Sequence, residues 1–416
     1  AQPSFVHMKI LHTADWHLGK KLDNISRLDE QKEVLQEICD IANQQEVDIV
    51  IVAGDLFDTF NPPVEATELL YQTLKRLTAN GKRPVLAIAG NHDSPDRIDS
   101  PDPLARACGI IFVGYPHAEV KPFAMDSNFE ITNSDKGFIE IKLHHISYPI
   151  RIITTAYANE VRLKQFLGVD NKGDQLNEVL KESWSTLANK YCDDSGVNIL
   201  TAHLYMLERG GEILEEPEGE KPIKIGNADI VYSDAIPPQI QYTALGHLHR
   251  YQFIKGHPNP VVYSSSPLSY SFSEAGQEKK VVIIDIIPNQ KAVVQAVPLH
   301  SGKPLRRMNF DDIDSAVEWL SSNPYTLVEL TLISDTFMSS ADLKRIHEAH
   351  NGIVYIIPVV RQLKNDTQIQ GDVIRLEKDI HSLFHDYFNY KYGQQPNEEI
   401  KELFKEVLTH SKDLEE

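Results

Sequence analysis

Five short apolar runs in this chain each end in residues that bind metal ions, and this pairing narrows the fold more than any other feature. Residues 9–14, 49–53, 85–89, 197–202 and 242–245 read as strands, several so rich in Ile, Val and Leu that both faces must be buried. Directly after them come Asp15-Trp16-His17, Gly54-Asp55, Gly90-Asn91-His92-Asp93, His203 and Gly246-His247-Leu248-His249. Doubly buried strands belong to the sheets of α/β proteins, which present their sites beyond the trailing strand ends. A lone Asp-x-His is more often turn chemistry than a site, and Gly-Asn-His-Asp suits a tight turn. Five such segments in one position relative to their strands favour a shared site over five turns. The donors are carboxylate, imidazole and amide without thiolate. That mixture suits two adjacent divalent ions of hard or borderline character, such as manganese, magnesium, iron or zinc.

The order Asp-x-His, Gly-Asp, Gly-Asn-His-Asp, His, Gly-His-x-His resembles the calcineurin-like metallophosphoesterases. The likeness extends beyond the ligands. Met8-Lys-Ile-Leu-His-Thr-Ala-Asp-Trp-His-Leu-Gly19, Ala53-Gly-Asp-Leu-Phe-Asp58 with Pro62-Pro63, and Ala244-Leu-Gly-His-Leu-His-Arg250 are similar to the SbcD nuclease branch of that family. It covers Met8 to about Leu299 and is looser beyond. The resemblance implies a two-sheet sandwich flanked by helices, a small α+β capping domain that helps engage DNA, and a C-terminal helical element that holds an SbcC-type coiled-coil ATPase. It also implies a homodimer, with 3′-to-5′ exonuclease action on duplex ends and endonuclease action on single strands or hairpins. The expected setting is DNA repair, recombination and replication, with two divalent ions, manganese by expectation.

The resemblance further assigns ligands. Asp15, His17 and His249 complete one metal site, and Asn91, His203 and His247 the other. Asp55, alone at its strand end beside Gly54, is the expected bridge. Alternation along an extended segment puts His247 and His249 on one side. His92 follows ligand Asn91 and, in the family pattern, faces substrate, where it contacts the scissile phosphate and assists the leaving oxygen. Asp93 is expected to orient His92 or close the turn. For Asp58, turn residue and substrate contact stay equally open. His12, on the first strand, reads as core. Lys20, Lys21, Arg27, Arg97 and Arg250 are candidate phosphate contacts, each more simply explained as a solvated charge or local ion pair. Two rival functions remain: a phosphoesterase for nucleotides or phosphoproteins, and a non-catalytic scaffold on the same fold. The full ligand set weighs against the scaffold.

Composition bounds the rest. The 416 residues suffice for two or three domains, and 41% apolar with 24% charged residues can bury a full core. No apolar stretch approaches the ~20 residues a membrane-spanning helix needs, and no signal peptide is expected ahead of Met8. Residues 1–7 read as a cloning remnant. Cys39, Cys108 and Cys192 are odd in number and widely spaced, which fits a reducing cytoplasm and core packing. A net charge of −19 argues against nonspecific nucleic-acid binding by the whole surface. Bound dications and a basic partner would reverse that locally.

Along the chain, residues 28–42 and 64–77 carry helical apolar periodicity. Residues 137–143, 150–156, 261–265 and 280–287 read as strands, with 293–299 pairing back on the last. The nuclease domain is expected over 8–300. Residues 208–220, rich in Gly and Glu, read as a mobile solvated loop that could border the substrate channel. Between 305 and 361 a β/α alternation follows: helices over 313–320 and 340–349, strands over 325–333 and 353–360. Residues 362–371 are an expected linker. Over 372–416, Leu376, Ile380, Leu383 and Tyr387 form one helical stripe, and Ile400, Leu403, Phe404 and Val407 a second. These stripes are the expected docking surface for the partner.

Overall fold

The computed structural model describes residues 4–168, 172–218, 223, 229–336 and 338–361, with 384–385, 387–388, 396–398 and 400–404 near the C-terminus. The chain divides into two compact units, Ala1–Arg361 and Gln362–Glu416.

The first unit is an α/β sandwich of two large sheets. One has six strands in the order Val293–Pro298, Lys280–Ile286, Met8–Thr13, Ile49–Ala53, Val85–Ile88, Ile110–Val113. Its last four strands are parallel, and Lys280–Ile286 and Val293–Pro298 add an antiparallel edge. The expected pairing across residues 288–290 is present, with Lys280 opposite Pro298. The other sheet has eight strands, with Ile150–Thr155, Val197–His203, Tyr242–Gly246 and Val261–Tyr263 mutually parallel at its centre. Every residue of Ile49–Ala53, Val85–Ile88, Val197–His203 and Tyr242–Gly246 is buried, as continuous apolar runs in parallel strands require.

Helices Leu28–Gln44 and Val64–Leu77 cover the first sheet through Val34, Leu35, Ile38, Leu70 and Leu74. A helix not expected from the sequence, Lys172–Tyr191, covers the second through Leu176, Leu180, Trp184 and Leu187. Near the amino end, the Phe5 ring meets Tyr148 edge-on at 5.4 Å, so packing begins before Met8.

Residues after the sandwich form a three-stranded parallel sheet, Leu305–Phe310, Leu327–Ser334, Ile353–Val360, joined by helices Ile313–Ser322 and Ser340–Ala349. It has its own core of Ala316, Leu320, Val328, Leu330, Leu332 and Ile346. A second cluster, Leu22, Phe272, Leu305 and Leu327, seats it on the sandwich. Three carboxylates of Leu28–Gln44 also face it: Glu30 and Glu37 accept from the backbone N–H of Lys303, His300 and Ser301, and Glu33 from the Tyr325 hydroxyl. In the second unit, Phe384 stacks on Phe404 at 3.9 Å between ring centroids. The expected linker and Leu376, Ile380, Leu383 and Val407 lie outside the described residues.

His12 is core, as its position on the first strand suggested. Nδ1 accepts from the Tyr242 hydroxyl at 2.8 Å, and Nε2 donates to the Leu245 carbonyl at 3.0 Å. Burial lowers its pKa from 6.5 to about 3, against the carbonyl bond. A depressed pKa in the folded state means that stability is present above about pH 6.5 and is lost as pH falls towards 3, because the unfolded chain takes up the proton first. Denaturation of the metal-free protein between pH 7 and 5 should show this loss, approaching ~1.4 kcal/mol per pH unit for one proton. His12→Gln should be less stable at pH 7 with a shallower slope. An unchanged slope would show that His12 is not the titrating group.

Candidate metal centre

All five ligand-bearing segments converge where the two sheets meet. Asp15, His17, Asp55 and Asn91 come from the first sheet, and His203, His247 and His249 from the second. Glycine allows the approach. A Cβ on Gly246 would fall 1.9 Å from the Ala53 carbonyl oxygen, and one on Gly54, whose φ is +91°, 2.3 Å from His203 Nδ1. The ligand loops are knitted by backbone bonds from Asp15 to Gly54 and from His17 to Asp55, both 3.0 Å. Asp15, His17, Asp55 and His247 all hold positive φ, a conformation that costs free energy in residues with side chains and clusters at functional sites.

The donor atoms are arranged acceptor against acceptor. His203 Nδ1 donates to the Ala53 carbonyl at 2.9 Å, which turns Nε2 towards Asp55 Oδ2 at 3.2 Å and Asn91 Oδ1 at 3.0 Å. His17 Nε2 lies 3.0 Å from His249 Nε2 and 3.5 Å from Asp55 Oδ2. Two ring nitrogens that close, with carboxylate oxygens converging on them, need a proton or a cation between them. Asp15, His17 and His249 form one group able to hold an ion, and Asp55, His203 and His247 another. Asn91, an amide, joins the second through His203. A third combination, His17, Asp55 and His92, also has the required proximity. These residues fit a pair of divalent cations.

The charges agree. Burial acts to raise the Asp55 carboxyl, but the imidazoles of His203, His17 and His92 outweigh it and hold that group well below the usual carboxylate range. Burial also opposes protonation of His203, yet the charges of Asp55 and Asp15 raise its pKa to about 8. Burial, with Asp55 close by, raises Asp15.

His92 is placed by two bonds. Its backbone N–H donates to Asp55 Oδ1 at 2.9 Å, and its Nδ1 donates to the Asp58 carbonyl at 2.8 Å. Asp93 closes the turn, accepting from the backbone N–H of Leu56, Phe57 and Gly90 at 2.8 to 3.0 Å. Burial and the neighbouring Asp55 charge raise its pKa to about 6. The Asp58 carboxylate lies 3.4 Å from His17 Nδ1 and 3.3 Å from Lys20 Nζ, so it orients a candidate ligand as well as sitting in a turn. Of the expected phosphate contacts, Arg27 is buried and paired with Glu30 at 2.6 Å, which removes it from that role. Arg97 donates to the Phe60 carbonyl and to Asn61. Arg250 is exposed beside His249.

Several supporting residues escaped the sequence reading. Arg162 donates to the carbonyls of Gly90 at 2.7 Å and Asp93 at 2.8 Å, bracing the Gly-Asn-His-Asp loop from the other sheet. Gln31 donates to the carbonyls of Trp16 and His17. Glu274 Oε1 lies 3.4 Å from His249 Nδ1 and is itself held by buried Lys279 at 2.7 Å. Glu216 Oε1 accepts from His247 Nε2 at 2.5 Å. Most described residues of 208–218 are exposed, as expected of a solvated loop, while Leu214 and Glu216 are part-buried and turn towards the second sheet.

Residues 8–251 match the calcineurin-like phosphoesterase family. The SbcD subunit of the SbcCD nuclease from Bacillus subtilis (strain 168) is 35% identical over 414 residues, spanning 97% of this chain and 98% of its own. Its counterpart from Staphylococcus epidermidis is 30% identical over 354 residues, or 82% of this chain and 83% of its own. A crystal structure of a dimetal phosphatase from Danio rerio aligns with 70% of this chain and 96% of its own, at 12% identity and a TM-score of 0.39.

Proposed function

Because this chain belongs to the calcineurin-like phosphoesterase family, in the branch of the SbcD subunits of SbcCD nucleases, we propose that it is a DNA nuclease subunit working by a two-metal mechanism. It is a hydrolase of phosphodiester bonds. The observation that most supports the two-metal reading is Asp55 Oδ2 lying 3.5 Å from His17 Nε2 and 3.2 Å from His203 Nε2, with His249 Nε2 3.0 Å from His17 Nε2. Asp15, His17 and His249 would hold one ion, Asn91, His203 and His247 the other, with Asp55 shared. Bound ions of this kind supply Lewis acidity, which neutralises phosphoryl charge and makes a nucleophile available at neutral pH.

The chain's own contribution is placement. Asp55 Oδ1 is engaged by the His92 backbone N–H, which leaves Oδ2 for the metal side. His92 Nδ1 donates to the Asp58 carbonyl and fixes the ring, whose Nε2 would hold a proton for the leaving oxygen or donate to a phosphoryl oxygen. The buried walls exclude water around these groups and strengthen their electrostatics.

The finer reading comes from the family. The chain acts as a 3′-to-5′ exonuclease on duplex ends and an endonuclease on single strands and hairpins, with manganese and as a homodimer. It serves repair, recombination and replication alongside an SbcC-type ATPase, in the cytoplasm. Residues 305–361 are the capping domain. The C-terminal stripes, in which Tyr387 and Leu403 are exposed, dock the ATPase. Among the described residues no helix is long and apolar enough to cross a membrane.

The test is direct. The purified chain, with and without its ATPase partner, is given linear duplex, a hairpin, circular single strands and a small aryl phosphodiester, with manganese or magnesium. Manganese-dependent shortening of duplexes from the 3′ end and opening of hairpins is expected. Rapid turnover of the small diester with no cleavage of DNA under either condition would favour a nucleotide or phosphoprotein esterase instead.

A further inference from the structure

We propose that Glu216 is a positioning residue for His247, fixing the tautomer through which that imidazole reaches its ion. The proposal rests on the two-metal reading above. Glu216 Oε1 takes the proton of His247 Nε2 at 2.5 Å and also accepts from the Ile223 backbone N–H at 2.7 Å. A hydrogen atom on Nε2 leaves the lone pair on Nδ1, so Nδ1 is the nitrogen offered to the site. A carboxylate behind a ligating imidazole also raises the basicity of the ring.

The fold holds the carboxylate in place for this role. Its loop is anchored by the Tyr205 hydroxyl, which donates to the Leu214 carbonyl at 2.5 Å, and by Leu214 against the apolar cluster under the second sheet. The Tyr205 ring meets the His247 ring edge-on, with centroids 6.5 Å apart. His249, two residues on, has a different carboxylate behind it, Glu274, on a separate turn held by Lys279. The two histidines of Gly-His-x-His therefore have independent outer partners. Loss of Glu216 should act on the ion of His203 and His247 and spare the ion of His17 and His249.

The full chain, stripped of metal, is titrated with manganese(II) alone by calorimetry, and the coupled pair is followed by electron paramagnetic resonance. Wild type, Glu216→Ala and Glu216→Gln are compared. Glu216→Ala should bind one manganese with unchanged affinity and the other about 10–100-fold more weakly. Glu216→Gln, whose amide oxygen can still accept from Nε2–H, should recover part of the loss. The metal-free melting temperatures should agree, because the side chain serves the ligand and not the core. Equal weakening of both ions, no weakening, or a fall in metal-free stability that accounts for the effect would overturn the role. A wild type that binds no second manganese would overturn both this proposal and the two-metal reading. A wild type that binds two, with Glu216→Ala identical to it, overturns the proposal alone.

Discussion

Asp55→Ala is expected to lose both ions where His249→Ala weakens mainly one. The difference lies in geometry. Asp55 Oδ2 stands 3.2 Å from His203 Nε2 and 3.5 Å from His17 Nε2, between the two groups of donors. His249 Nε2 is paired instead with His17 Nε2, at 3.0 Å. Removing a shared carboxylate would also remove negative charge that two neighbouring dications need. Metal analysis after dialysis, with a melting curve of the metal-free protein to show that the fold persists, measures the effect. Two full-occupancy ions in the Asp55 variant would rule out the bridge.

His92→Ala should keep its ions and its fold while losing most turnover, since assistance by a positioned acid is worth ~10²–10⁴-fold. The ring nitrogen given to the Asp58 carbonyl fixes the imidazole, and deleting it leaves the backbone bond to Asp55 in place. The competing arrangement is that His17, Asp55 and His92 hold an ion together, which their proximity permits. The two roles separate cleanly. An unchanged metal content with cleavage reduced at least a hundredfold identifies the acid, and a lost ion identifies a ligand. Near-normal cleavage excludes both.

The ligand-bearing strand ends were legible because parallel strands buried on both faces leave an uninterrupted apolar signature. Ile49–Ala53 cannot be mistaken for a solvated segment, so the Gly54-Asp55 pair at its end stands out. Element bounds moved by a residue or two, as with the strand expected from Tyr325, which begins at Leu327 where its N–H meets the Pro304 carbonyl. The helix Lys172–Tyr191 does carry a helical stripe in the sequence, Leu176, Leu180, Trp184 and Leu187. Phe129–Asp135 was not readable in that way, since its polar half and the irregularity between Ile131 and Asn133 break the alternation.

The supporting residues were hidden for a different reason. Arg162 serves carbonyls 69 to 72 residues away, and Glu216 serves a histidine 31 residues on. Charged side chains in polar loops look alike in sequence until the fold decides which of them turn inward. The same limit applies to Arg27, whose burial against Glu30 could not be told from a free surface charge.

Drawing ligands from both sheets also sets an order of events in time. During synthesis Asp15, His17, Asp55 and Asn91 emerge first, and the partner of Asn91 across the site, His203, lies 112 residues later in the chain. Neither sheet alone carries the complete candidate set. The candidate donor set is complete only once the strand Tyr242–Gly246 has paired beside Val197–His203 and brought in His247 and His249. Under the two-metal proposal, an unfinished chain would lack donors for both ions, and cleavage would await completion of the tertiary structure.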